Sequence, residues 1–324
     1  MAPAFETMGF EHVTLDNPVS GRGPVLVASR IEDPSLPTVL LYGHGDVVRS
    51  VASEWENGRD PYVTSREGDR LYGRGVVDNK GQHTLAMLAL EAVLTERGKL
   101  GFNAKFMIKT GEEQGSPGLE KLLIEHTNLF TADAFLGFDG PRKSFSRLDL
   151  NLGCRGGVFF NLVVDLNRSG GLHSGHFGGV LPDAAIILAH ALATITTPKG
   201  RILMPEWLPK HVPNSVHAAC HDIVADQVEG MPKPDPEWGF PELSEHEKVL
   251  AWTSFIVLAM SSGNPDNPVN AEVFVPLLRK HLDAHGLQQV VIDTNIGRDQ
   301  FLASRTDPDN CWVQRFQRLI ETSA

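Results

Sequence analysis

The sequence predicts an α/β fold: a mostly parallel open sheet with helices on both faces, interrupted by a smaller inserted α+β domain. Three observations lead there. Short continuous apolar runs alternate with amphipathic stretches between residues 38 and 150, the pattern of buried parallel strands joined by helices. That texture changes near residue 153. The length, 324 residues, exceeds one small core and suffices for two domains.

The elements follow in order. TVLLY (38–42) is a run short and apolar enough for a strand buried on both faces. KGQHTLAMLALEAVLTERG (80–98) places Leu85, Leu88, Ala89, Ala92 and Val93 at helical spacing, with Gly98 as the C-cap. AKFMIKT (104–110) is a second buried strand. SPGLEKLLIEHT (116–127) reads as a helix with Ser116 at the N-cap and Pro117 in the first position. ADAFLGFD (132–139) is the third strand. Beyond residue 153, GGVFFNLVVDLN suits a strand in an antiparallel setting, and PDAAIILAHALATI (182–195) a helix. A Pro- and Trp-containing stretch covers roughly 198–243. VFVPLLRKHLDAHG (273–286) is an amphipathic helix, QQVVID (288–293) a strand, and DPDNCWVQRFQRLIETS (307–323) a closing helix begun by Asp-Pro-Asp chemistry. The expected division is 1–153 with 304–324 as one domain and 154–303 as the insertion.

Bulk properties narrow the function. A formal charge of −11 repels phosphate backbones and argues against nucleic acid. Cys154, Cys220 and Cys311 lie far apart with no CxxC pair, which fits reduced thiols and excludes a structural zinc finger. MAPAFETMGF lacks the basic and apolar regions of a signal peptide, so a cytoplasmic location is expected. The longest apolar runs, AAIILAHALATI and VLAWTSFIVLAM, are too short to span a bilayer and read as buried helices. No internal repeat or low-complexity tract is present.

The chemistry gathers at strand ends. The first strand runs into His44-Gly45-Asp46, Asp78 stands just before the long helix, the second strand runs into Glu112-Glu113, and the third ends at Asp139. Open α/β sheets bind ligands along that carboxyl rim. Each feature alone has a plain structural reading: a turn histidine, an N-cap aspartate, a solvated glutamate pair. One imidazole and several carboxylates on one edge, however, make a divalent-cation site, most naturally zinc. With two ions, a bridging carboxylate and terminal ligands are needed, and a free carboxylate beside them can move the proton of an activated water. GRGVVDNKG lacks phosphate-loop spacing, and no G-x-S-x-G elbow occurs.

YGHGDVV, LYGRGVVDNKG, TGEEQGSPGLEKL, FDGP, GCRGGVFF and GLHSGHFGG, in this order, resemble the zinc metallopeptidase and amidohydrolase family of carnosinases, acetylornithine deacetylases and succinyl-diaminopimelate desuccinylases. The likeness covers roughly residues 35–190; WTSFIVLAMSSGNPDNPVNA and ASRTDPDN extend it more weakly. The resemblance implies hydrolysis of a dipeptide or N-acyl amino acid by a zinc enzyme that dimerises through its inserted lid domain, with no membrane partner. It implies that His44 and Asp139 bind one zinc, that Asp78 bridges, that Glu113 binds the second ion and that Glu112 is the general base. Asp46 would hold the His44 ring. His173, a turn histidine on any plainer reading, would reach the partner's site and stabilise the oxyanion. The resemblance also implies a cis bond at Asp78-Asn79. His83 and His176 read as surface or helix histidines, and Cys154 as a small buried residue.

Two departures stand out. The family uses a further histidine near the C-terminus for its second zinc, and no histidine follows His285 here. NPDNPVNA runs directly into EVFVPLLRKHL without the arginine that commonly binds the substrate carboxylate. The chain therefore reads as shortened at both ends, and its N-terminus as lacking a helical lead. Two zinc ions are expected from the family, one from the residues in view, with Mn²⁺ or Co²⁺ as substitutes. The competing expectation is a catalytically impaired relative that binds metal or forms dimers.

Overall fold

The computed structural model describes residues 1–140, 142–144, 146–166, 174–177, 179–226, 232–260, 275–288, 290–293 and 304–323. The chain separates into two compact units, Met1–Pro141 and Arg142–Ala324.

The first unit opens with helix α1 (Ala2–Thr7), the lead that the sequence reading leaves out, and two strands it also leaves out, β1 (Glu11–Leu15) and β2 (Val25–Arg30). Then come β3 (Thr38–His44), the hairpin β4 (Ser65–Glu67) and β5 (Arg70–Tyr72), and helix α2 (Lys80–Arg97). Strand β6 (Asn103–Lys109), helices α3 (Leu119–Glu125) and α4 (Thr127–Phe130), and strand β7 (Ala134–Gly137) complete it. The sheet order is β1-β2-β6-β3-β7. β3 pairs in parallel with both β6 and β7, while β1 and β2 join antiparallel. The three expected strands thus form the parallel part, and β3 lies between the other two.

Side-chain alternation along these strands feeds a core on each face. Val39, Leu41, Phe106 and Ile108 meet α1 and α2 through Phe5, Ala86, Met87 and Leu90. Leu40, Met107, Val25 and Val27 meet α3 and α4 through Leu122 and Phe130. Helix α2 has the expected span, with Gly98 left-handed at φ 67° as its cap. Its buried stripe is not the expected one. His83, Ala86, Met87 and Leu90 face the sheet, whereas Leu85 is 68% exposed and Leu88, Ala89 and Ala92 are also exposed. Two apolar stripes compete on this helix, and spacing alone does not choose between them. Helix α3 begins later than expected: Gly118, not Ser116, precedes it, and Ser116 sits at φ 56°.

The second unit contains β8 (Gly153–Cys154), β9 (Asn161–Val163), α5 (Ser174–Phe177), α6 (Ala184–Ile195), α7 (Asn214–His221), α8 (Glu245–Leu250), α9 (Val275–Ala284), β10 (Val291–Asp293), β11 (Ser304–Arg305) and α10 (Cys311–Ser323). β9 pairs antiparallel with β10, and β8 with β11. Ala191, Ile195, Met204, Trp207, Leu278 and Leu282 anchor its core. Of the apolar run 249–260, only its first two residues are helical; the rest is irregular, with Ile256 and Leu258 exposed. No described helix is long and apolar enough to cross a membrane.

Asp183 caps α6, its carboxylate accepting the Ile186 N–H at 3.0 Å. Asp183→Ala removes that acceptor and is expected to destabilise by about 1 kcal/mol, read as a lower denaturation midpoint. An unchanged midpoint would show that the cap contributes nothing.

Candidate metal centre

The site is built at the carboxyl ends of the three parallel strands. β3 ends at His44, whose side chain is 1% exposed. Close packing beneath it requires glycine: a Cβ on Gly43 would lie 2.5 Å from the His83 Cβ and 2.8 Å from Asn79 Oδ1. The His44 backbone N–H donates to Asn79 Oδ1 at 3.0 Å. Its ring Nδ1 lies 3.1 Å from the Asp46 carbonyl oxygen and 3.4 Å from Asp46 Oδ1. Nε2 points the other way, 2.9 Å from Asp78 Oδ1 and 3.8 Å from Asp139 Oδ2. Asp78 is joined to Asn79 by a cis peptide bond, as the resemblance implies.

Asp46 also ties two strand ends together. Its carboxylate accepts the Glu112 N–H at 3.0 Å and the Glu113 N–H at 3.1 Å. These glutamates form a single 3₁₀ turn, Glu112–Gln114, just after β6. No hydrogen bond engages the Glu112 carboxylate among the described residues, yet its charge acts on His44, Asp139 and Lys109.

The donor set fits a divalent cation. One donor atom from each of His44, Asp78 and Asp139 lies within 4.8 Å of the others. Two ligands held at about 2.0–2.1 Å on a tetrahedral ion stand about 3.3 Å apart, so contacts of 2.9 and 3.8 Å bracket that spacing. Tautomer logic agrees. Nδ1 faces a carbonyl oxygen and must carry a hydrogen, so a neutral ring would aim its Nε2 lone pair at two carboxylates. Only a positive charge at Nε2, a proton or a metal ion, makes that arrangement favourable.

The electrostatics report the same demand. Burial alone would lower the His44 pKa, but hydrogen bonds to Asp46 and Asp78 override it and raise it to about 9. Burial would raise Asp46; the His44 ring and the two backbone N–H groups hold it instead at about 2. Burial pushes Asp139 up, with Asp78 and Glu112 adding to it and His44 opposing. Glu113 is raised chiefly by burial and then by Asp78. Lys109, buried, donates to Ser116 Oγ; desolvation lowers its pKa against the pull of Glu112, Asp46 and Asp139.

The structure therefore brings His44, Asp78 and Asp139 into one cluster, with Asp46 behind the ring and Glu112 and Glu113 on the adjoining turn. His173 lies outside the described residues. Of the two plain readings of His83 the helix one holds and the surface one does not: it lies on α2 and is 1% exposed, its Nδ1 is 3.1 Å from Asn79 Oδ1, and burial lowers its pKa to about 4. The sequence reading also passes over Asn79 and Gln82, whose amides connect the ligand-bearing segments. Cys154 is exposed rather than buried.

The sequence profile of Peptidase family M20/M25/M40 matches residues 40–321. The chain is 34% identical over 185 residues to the Beta-Ala-His dipeptidase of Mus musculus, covering 56% of this chain and 37% of that protein. It is 30% identical over 245 residues to the Cys-Gly metallodipeptidase dug1 of Schizosaccharomyces pombe, covering 69% of this chain and 50% of that one. The matched stretches thus span between about a third and a half of these relatives' length. In fold, the chain resembles the crystal structure of human carnosine dipeptidase 1 with a TM-score of 0.74 at 23% identity, covering 99% of this chain and 75% of that one.

Proposed function

The chain belongs to peptidase family M20/M25/M40, and from that premise we propose that it hydrolyses the amide bond of a dipeptide or an N-acyl amino acid at a divalent metal centre, with zinc as the metal. The observation that carries this reading is the convergence of His44 Nε2 with the Asp78 and Asp139 carboxylates. The names of the relatives, a Beta-Ala-His dipeptidase and a Cys-Gly metallodipeptidase, support the substrate class.

His44, Asp78 and Asp139 would hold one ion; Asp78 as a bridge and Glu113 as a terminal ligand would serve a second. Bound there, a divalent ion supplies Lewis acidity and lowers the pKa of a coordinated water towards about 7. The chain's own groups do the rest. Asp46 keeps the hydrogen of His44 on Nδ1, so that Nε2 presents its lone pair outward. Glu112, adjacent to the centre and free of hydrogen-bond partners at its carboxylate among the described residues, takes the proton of the attacking water. The same carboxyl group then delivers it to the departing amine nitrogen as the C–N bond breaks. His173, supplied by a second copy, would stabilise the oxyanion. This reading includes a catalytic domain of residues 1–153 and 304–324 and a homodimer formed through 154–303.

The test is metal content per chain after dialysis, together with hydrolysis of Beta-Ala-His, Cys-Gly and N-acetyl amino acids with added Zn²⁺, Mn²⁺ or Co²⁺. At least one equivalent of metal and metal-dependent release of a free amino acid are expected. Absence of both would sink the proposal; retained metal without turnover would leave only its binding half. Sedimentation of the same sample as a monomer would remove the dimer from it.

A further inference from the structure

We propose that Gln82 is the positioning residue that sets the separation of the Asp78 and Asp139 carboxylates, and so governs how tightly and in what geometry the rim holds a metal ion. The inference rests on the metal reading of this rim.

Asp139 is poorly supported by the sheet. It lies two residues beyond β7, an edge strand of four residues whose pairing in the described structure is to β3 alone. The last backbone bond of this kind is Phe138 N–H to the Tyr42 carbonyl at 3.0 Å. What holds the backbone on both sides of Asp139 is a pair of side-chain amides from the start of α2. Asn79 Nδ2 donates to the Phe138 carbonyl, and Gln82 Nε2 donates to the Gly140 carbonyl at 2.6 Å. The two amides are also joined, Asn79 Nδ2 donating to Gln82 Oε1 at 2.7 Å.

The polarity of this relay is fixed from its ends. The His44 N–H can only donate, so the group of Asn79 that receives it at 3.0 Å is Oδ1. Asn79 therefore presents Nδ2 towards Gln82, which must accept through Oε1 and so turns Nε2 to Gly140. The Gly140 carbonyl can only accept, which closes the series without a mismatch. One continuous path thus links the backbone of His44, the residue next to Asp78 and the segment bearing Asp139, the three members of the donor cluster. Asn79 is fully buried, and α2 is locked onto the sheet by Ala86, Met87 and Leu90, so the path is anchored on a packed helix.

The side chain must accept at one end and donate at the other. Methionine fills a similar volume, cannot donate and accepts only weakly. Glutamate still accepts from Asn79 but sets a carboxylate oxygen against the Gly140 carbonyl. Outer partners of metal ligands that orient them typically govern affinity by about 10–100-fold.

The experiment is a Co²⁺ titration of the full chain as wild type, Gln82→Met and Gln82→Glu, following the visible absorption of the bound ion, with the thermal midpoint of each metal-free protein recorded alongside. Both variants are expected to bind Co²⁺ about 10–100-fold more weakly and, at saturation, to show an absorption envelope different from the wild type's. A purely structural role would lower the metal-free midpoint but leave the saturated spectrum unchanged. Wild-type affinity and an unchanged spectrum in either folded variant would overturn the inference while leaving the metal reading intact. Failure of the wild type to bind Co²⁺ would overturn the metal reading and this inference together.

Discussion

Glu112→Gln is expected to lower turnover by about 10²–10⁴-fold, the range associated with a lost general acid–base group, while metal content stays at the wild-type level. Two features make this substitution clean. The backbone N–H of Glu112, not its side chain, is what Asp46 holds, so glutamine keeps the turn that follows β6. The side chain is outside the three-donor cluster, so replacing a carboxylate by an amide removes no member of it. What disappears is the ability to accept a proton from water and return it to the amine. Steady-state kinetics on a dipeptide and elemental analysis on the same preparation decide the matter. Turnover within a few-fold of wild type would remove Glu112 from the base role, and loss of metal would make it a ligand instead. Glu113→Ala supplies the contrast, since its expected effect is on metal stoichiometry.

Much of this rim was legible from the sequence because its parts obey local rules. TVLLY, AKFMIKT and ADAFLGFD are short apolar runs, and parallel strands place their carboxyl ends on one edge. His44, Asp78, Glu112, Glu113 and Asp139 could therefore be gathered without knowing the register. The supporting groups could not. Asn79 and Gln82 matter through contacts to Phe138 and Gly140, about sixty residues away, and nothing local distinguishes them from ordinary helix-start residues. His83 reads from the sequence as a surface or helix histidine; it does lie on α2, but on the buried face, packed against Gly43 of β3, and that contact is not legible locally. Ser116 had the residue type of an N-cap, but its hydroxyl accepts from the buried Lys109 ammonium. In the second unit, SEHE carries the capping box of Ser244 and Glu247, and the helix it starts, Glu245–Leu250, ends just inside the longer apolar run at 249–260. That run is only helical at its start, so apolar content without a clear stop signal misled.

His44→Ala is expected to weaken metal binding by more than Asp46→Ala, for which a loss of at most about 10–100-fold is anticipated: the first deletes a donor, whereas the second removes the carboxylate 3.4 Å from Nδ1 and leaves the backbone carbonyl at 3.1 Å in place. The order of the two losses is the informative result, and equal losses would mean that Asp46 itself ligates. A pH series adds a second, independent reading of the same ring. Without metal, the His44 pKa is raised from 6.5 to about 9. The folded state therefore holds a proton that the unfolded chain releases, and this contribution to metal-free stability is complete below about pH 6.5 and lost as pH rises towards 9. A metal ion competes for the same Nε2, so each ion bound at pH 7 displaces a proton and apparent affinity climbs across that window. Two trends of opposite sign then share one cause: metal-free stability falls with pH where metal affinity rises. Both should flatten in His44→Ala. Thermal midpoints with and without saturating Zn²⁺ at several pH values measure them together. If metal affinity rose with pH as steeply in His44→Ala as in the wild type, the competing proton would sit elsewhere, and His44 Nε2 would not be the atom that receives the ion.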